Sequence, residues 1–408
     1  MVAGGARAVA RCDALGVAPY SDMADGLWRG YLTPAYAAAQ RAVGGWMAEA
    51  GMTTGLDPAA NLVGRYEGLV DGPALILGSH LDSVRDGGRY DGPLGIMLAI
   101  ECVAALHAAG RRMPFPIEIY AFGDEEGSRF PTAMLTSRAV AGTLDPSMLA
   151  VADADGVTLE AALPGAAARF ATARHAPALA YLEAHIEQGP VLEAQGLPVG
   201  TVTGIAAQSR HAATVTGRAG HAGTNSMALR RDALAAAAAM VSAVEEVARA
   251  GPADLVATVG RLEVAPGAAN VVPGEVRFTI DVRAGSDVLR DGAARAILLA
   301  CRRIAHERDV AFHSAPLQEL AASPCDPALM DLIDASIAAR GIAPFRLVSG
   351  AGHDAMIMAA LCPIAMLFVR CRDGISHNPA EHVDAGDAEV ALQVMLGFID
   401  RLAERDIG

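Results

Sequence analysis

Aromatic side chains make up only 4% of the 408 residues, so large rings cannot be what fills the interior. Hydrophobic residues reach 52%, much of it alanine, and helices are expected to pack closely through small side chains. There is no basic block and no aromatic-plus-arginine platform. With a formal net charge of −14, this argues against a nucleic-acid partner. No uninterrupted apolar run approaches the roughly eighteen residues of a membrane span, so no membrane partner is expected. The stretch MVAGGARAVARCDALG has arginines but no continuous apolar segment, so no secretory leader is expected. Cys12, Cys102, Cys301, Cys325, Cys362 and Cys371 form no C-x-x-C, which removes a zinc knuckle and a thioredoxin-like site. Scattered thiols without a framework suit a reducing cytoplasm, the expected location, and each reads as a small buried hydrophobe.

The chain is too long for one ordinary core, so two domains are expected. Helix-period segments at 34–51 and 95–110 alternate with apolar strand-like runs at 61–66, 74–78, 116–122 and 181–186. Residues 160–180 read as a connection or helix. That order predicts an α/β unit on a mainly parallel sheet. From about 208 the texture changes: strand 211–217, one long helix 226–250, strands 255–264 and 276–283, and helix 286–309. This reads as a small α+β insert. After Pro324 the first texture returns, with helix 327–340, strand 363–369 and a final helix 386–405. The expected boundaries are 1–207 and 323–408 for the catalytic domain and 208–322 for the insert.

Polar residues gather just after predicted strands four times. The clusters are His80, Asp82 and Asp91; Glu125 and Glu126; His185-Ile-Glu-Gln188-Gly; and Ser376-His377-Asn-Pro-Ala-Glu381. Carboxyl ends of strands in open α/β sheets face the ligand crevice, so these groups can converge. Imidazole and carboxylate together suit Zn²⁺ or Mn²⁺, and one carboxylate can bridge two ions. An adjacent Glu pair can divide the work, one ligating and one acting as general base. Alone, each cluster has an ordinary reading: a capping pair, a solvated turn, a structural histidine. Pattern by itself leaves a metal site and these readings both open.

The wording of the clusters goes further. GSHLDSVRDGGRYDGPLG, DEEGSRF, HIEQGPVLE, GHAGTNSM followed by RRDAL, NVVPGEVRFTIDVR, SGAGHDAM and GISHNPAE resemble, in order, the M20 metallopeptidase clan. More narrowly, they look like its hydantoinase/carbamoylase branch. HIEQG is informative, because peptidase members of the clan commonly carry a glutamate ligand where this branch has histidine. The resemblance implies a dinuclear-metal catalytic domain with an inserted lid/dimerisation domain, hence a homodimer. It implies two divalent ions (Zn, Mn or Co): Asp91 as bridge, His80 and His185 on one, Glu126 and His377 on the other. Glu125 would be the general base and Asp82 would orient the His80 ring. Arg283 matches the clamp on a substrate carboxylate, and His221 the insert-domain histidine at the scissile group. Gln188, Asn270 and the loop Ser349-Gly350-Ala351-Gly352 match substrate contacts. Gly220 stands where the family often has Asn, and Ser226 where it often has Pro.

The implied reaction is hydrolysis of the ureido C–N bond of a small anionic acid, allantoate or an N-carbamoyl-L-amino acid, releasing ammonia and CO₂. The N-terminal segment looks slightly more like allantoate amidohydrolases. The alternatives are an N-acyl-amino-acid deacylase or dipeptidase on the same scaffold, a binding protein with a relic metal site, and a serine hydrolase using Ser349 or Ser79.

Overall fold

The computed structural model describes residues 4–406; residues 1–3 and 407–408, which the sequence reading put in the first and last segments, lie outside them. Two compact units form. The larger holds the chain through Thr203, Cys325–Leu347 and the chain from Ala351 onward; the smaller holds Gly204–Pro324 and Val348–Gly350.

The larger unit is built on a mixed sheet. Its strand order is Thr53–Leu56, Leu62–Tyr66, Ile117–Phe122, Leu75–His80, Ala180–Ile186, Ile364–Val369, Val199–Ile205. The four strands from Ile117–Phe122 to Ile364–Val369 run parallel, and the pairings outside them are antiparallel. A mainly parallel sheet is therefore corrected to a mixed one with a parallel centre. Strand direction depends on how each connection returns, and a local apolar pattern does not carry that. The central strands are buried at every residue, as strands covered on both faces must be. Helix Pro93–Ala108 packs on three of them and is apolar nearly all round, because helices Gly5–Leu15 and Ala385–Asp406 cover its outer side.

The smaller unit is an antiparallel sheet in the order Leu262–Ala265, Glu275–Ala284, Ala207–Thr216, Ala311–Leu320, with Val256–Thr258 also on Glu275–Ala284. Helices Ala233–Arg249 and Asp287–Glu307 pack on this sheet. Along Glu275–Ala284, Val276, Phe278, Ile280, Val282 and Ala284 are buried in that core, and the alternate residues face away from it.

Two expected elements are broken. The long helix 226–250 starts only at Ala233, because the Asp232 side chain accepts the N–H groups of Leu234 and Ala235 and caps it there. The expected strand 255–264 is two strands, Val256–Thr258 and Leu262–Ala265, with Gly260 between them. Among the described residues, no helix is long and apolar enough to cross a membrane.

Candidate metal centre

Four parallel strands deliver side chains to one end of the sheet. His80 is the last residue of its strand and pairs in register with Phe122, after which Gly123 and Asp124 lead to Glu125 and Glu126. His185 lies near the end of the next strand, opposite Phe368. Asp91 enters from the loop after His80, and His377 from the loop after Val369.

Asp91 is the hub. Its Oδ1 lies 3.1 Å from His185 Nε2 and 3.6 Å from His80 Nε2. Its Oδ2 lies 3.3 Å from His377 Nε2, which is also 3.3 Å from Glu126 Oε1. Potential ligand atoms of His80, Asp91 and His185 fall within 4.8 Å of one another, as do those of Asp91, Glu126 and His377, and of His80, Glu125 and Glu126.

The donor chemistry fits cations. His80 Nδ1 donates to the Asp82 carbonyl at 3.0 Å, and His185 Nδ1 to the Ile186 carbonyl at 2.9 Å. In its neutral form each ring then presents a bare Nε2, and the two Nε2 atoms face each other at 3.4 Å. Asp91 Oδ1 is buried beside them with no hydrogen-bond donor among the described residues. Two lone pairs and an unpartnered carboxylate oxygen repel unless positive charge sits among them. The chain contains no lysine, and among the described residues no arginine pairs with Asp82, Asp91, Glu125 or Glu126. Buried charges left unpaired cost several kcal/mol each, roughly, so this cluster calls for protons or divalent ions.

The titration directions agree. Burial raises the Asp91 carboxyl, but His185, His377 and His80 outweigh it and hold it well below the usual range. Asp91 and Glu126 raise His377 to about 10. Burial pushes Glu125 well above the carboxylate range, with His80 opposing and Glu126 adding to the rise. A carboxyl tuned upward in this way is equipped to take up a proton.

Asp82 contacts more than the His80 ring. It orients His80 through its main-chain carbonyl, while its carboxylate accepts the N–H of Glu125 and of Glu126, each at 3.2 Å. Gln188, expected on substrate, donates to Asp91 Oδ2 at 2.8 Å, beside the Ser376 hydroxyl at 2.6 Å. Both Gln188 and His377 adopt positive φ, 57° and 54°.

Three buried groups near the cluster had no role in the sequence reading. Glu381 accepts the N–H of Tyr90 at 2.8 Å and of Asp91 at 3.1 Å; its place in GISHNPAE was the available signal. Glu183 accepts from Ala355 N at 2.9 Å, and it forms a further ligand-compatible group with His185 and His353. The His353 ring packs edge-on against His185 at 4.5 Å. Glu183 sits inside an unbroken strand and gave no signal of its own. Ser79 is buried and donates to Glu183 at 3.3 Å, a structural bond rather than a nucleophile–base pair.

The remaining expected residues fall in the smaller unit, except Ala351 and Gly352. His221 is exposed and pairs in register with Val271. Gly223 N–H donates to its Nδ1 at 3.1 Å, which puts the ring proton on Nε2. Asn270 is exposed beside it, its carbonyl accepting Ala222 N at 2.9 Å. Arg283 is held by Asp281 Oδ1 at 3.0 Å and by the Gly350 carbonyl at 2.6 Å. The Ser349 carbonyl accepts Ala206 N, and the Ser349 side chain is buried. Gly352, in the larger unit, abuts Met134.

Comparison with known proteins agrees with this geometry. The family described as Peptidase family M20/M25/M40 matches residues 76–401. An N-carbamoyl-L-amino acid amidohydrolase of Geobacillus stearothermophilus is 43% identical over 89% of this chain and 90% of its own. A probable allantoate deiminase of Oryza sativa subsp. japonica is 40% identical over 92% and 84%. A crystal structure of a hydantoinase/carbamoylase family amidase from Burkholderia multivorans superposes with a TM-score of 0.91 at 33% identity, covering 98% of each chain. Relatives aligned over most of both chains, with a histidine–carboxylate cluster at the strand ends, leave one family assignment: the chain belongs to peptidase family M20/M25/M40.

Proposed function

We propose that this chain is a metal-dependent amidohydrolase that cleaves the ureido C–N bond of a small carboxylic acid, allantoate or an N-carbamoyl-L-amino acid. One observation carries the reading. Asp91 directs one oxygen at His80 and His185 and the other at His377, itself beside Glu126. His80, His185 and Asp91 would hold one divalent ion, Asp91, Glu126 and His377 a second, with Zn, Mn and Co as candidates. When bound, such ions polarise the ureido carbonyl and lower the pKa of water.

The chain's own groups then do the following. Glu125 takes a proton from the attacking water and returns it to the departing nitrogen. The C–N bond breaks, and the carbamate released decomposes to ammonia and CO₂. His221 stabilises the oxyanion with a hydrogen bond from its Nε2–H, Arg283 holds the substrate carboxylate, and Asn270, Gln188 and the 349–352 loop complete the contacts. Residues 208–322 act as a lid and dimerisation domain of a cytoplasmic homodimer, with helix Ala233–Arg249 at the interface. The names of the amidohydrolase and deiminase relatives support the substrate class.

The test is ammonia release from allantoate, N-carbamoyl-L-amino acids and 3-ureidopropionate, with and without chelator, beside N-acetyl amino acids and dipeptides. Metal content is measured on the same protein. Chelator-sensitive release from a ureido acid, with about two ions per chain, is expected. Turnover of acetyl or peptide substrates alone would make it a deacylase or dipeptidase.

A further inference from the structure

The face of the smaller unit's sheet that turns away from its helices carries a polar site beyond Arg283. Strand register builds it. Arg210 lies opposite Asp281, Asp281 opposite Thr258, and Arg283 opposite Gln208. Facing residues of paired strands point to the same side, so these side chains form two adjacent rows. All of them but Gln208 line a cavity of about 620 Å³ that also takes in Thr279 and Val256.

The hydrogen bonds leave a defined remainder. Arg210 commits Nε and Nη2 to Asp281 Oδ2, at 3.0 and 2.7 Å. Its Nη1 donates to nothing among the described residues. Asp281 Oδ2 also accepts Gln208 Nε2 at 2.8 Å and is saturated, whereas Oδ1 receives only Arg283 Nε at 3.0 Å and has room for another donor. The Thr258 and Thr279 hydroxyls make no hydrogen bond among the described residues, so each offers a donor and an acceptor.

Charge decides what fits. Asp281 pairs with both Arg210 and Arg283, so the three together carry one net positive charge, enough to answer a single substrate carboxylate. An apolar arm would strip water from the guanidinium, carboxylate and hydroxyls without replacing its hydrogen bonds, and a second acidic arm would face Asp281. We infer that Arg210, Asp281, Thr258 and Thr279 form a subsite for an uncharged arm bearing both N–H donors and a carbonyl acceptor, as a second ureido or carboxamide group does. This rests on the ureido-acid reading above and narrows it to substrates with such an arm. The subsite stands on strands, not loops, and is preorganised.

Steady-state ammonia release from allantoate and from N-carbamoyl-L-leucine tests it, in the full-length wild type and in Arg210→Met and Thr258→Val. Wild type should favour allantoate at least tenfold in kcat/KM, and each variant should shrink that ratio, Arg210→Met by tenfold or more. Thr258→Val keeps the ion pair intact and covers the case in which Arg210→Met does not fold. A wild-type preference for the leucine substrate, or a ratio moved by neither variant, would overturn the subsite and leave the ureido-acid reading standing. Release from neither substrate would overturn both.

Discussion

The carboxylate of Asp82 accepts the main-chain N–H of Glu125 at 3.2 Å, and its other oxygen does the same for Glu126. One fully buried side chain thus sets the turn that presents both glutamates. Asp82→Ala leaves two buried donors unsatisfied, at about 1–3 kcal/mol each. Urea unfolding should show that loss, and kcat should fall more than KM changes. Asp82→Asn keeps one acceptor and should be milder in both. Unfolding of the alanine variant at the wild-type urea concentration would mean the clamp is idle.

Glu125 and Glu126 are neighbours with different expected fates. Glu125→Gln removes the base but keeps the ligands, so metal content should stay at the wild-type level while kcat drops by about 10²–10⁴. Glu126→Gln should instead lower the number of ions retained after dialysis. Metal analysis beside the rate measurement separates the two, and a Glu125→Gln enzyme at full speed would exclude the assignment.

Gly92 follows Asp91 with φ 84°, and a Cβ there would sit 2.5 Å from the His80 ring. Gly92→Ala therefore meets both backbone strain and a clash with a proposed ligand, at roughly 1–3 kcal/mol. A lower Tm should come with weaker metal uptake, read by titration of the apoprotein. An alanine variant that binds metal as wild type does would show that His80 tolerates displacement.

Away from the site, His175 Nε2 lies 2.8 Å from Glu118 and its Nδ1 faces the Ala176 carbonyl, so the ring is held as an imidazolium. Glu118 raises the His175 pKa, and His175, with Arg65, lowers that of Glu118 against the opposing effect of burial. The His175 contribution is full below its unfolded value near 6.5 and is lost as pH rises through the raised folded value. The Glu118 contribution is full above its unfolded value near 4.3 and is lost as pH falls through the depressed folded value. The gap in unfolding free energy between wild type and His175→Gln should be about 1.5–3 kcal/mol near pH 5–6.5 and shrink on either side. A gap independent of pH would rule out the charged pair.

Much of this was readable in the chain because the relevant signals are local. The apolar runs at 74–78, 116–122 and 181–186 fix buried strands, and the polar cluster beside each run points to the crevice end. The alternation in EVRFTIDVRA likewise separates core residues from the open face that carries Asp281 and Arg283. Other features were not readable because they depend on partners distant in sequence. The break at Asp232 hides inside an alanine-rich helical pattern, since a cap looks like any surface aspartate until its bonds are seen. The roles of Asp82 and Gln188 turn on which of several nearby donors and acceptors each meets.

The sequence by itself determined which residues are able to ligate, their place at strand ends and the family they belong to, because residue type and short-range pattern suffice for that. Only the tertiary structure decided that the flanking strands run antiparallel, that His80 and His185 turn their Nε2 atoms toward each other, and that Asp91 faces two ways. Strand direction, ring tautomer and carboxylate orientation are set by hydrogen bonds between segments far apart in the chain, and a linear pattern does not record them.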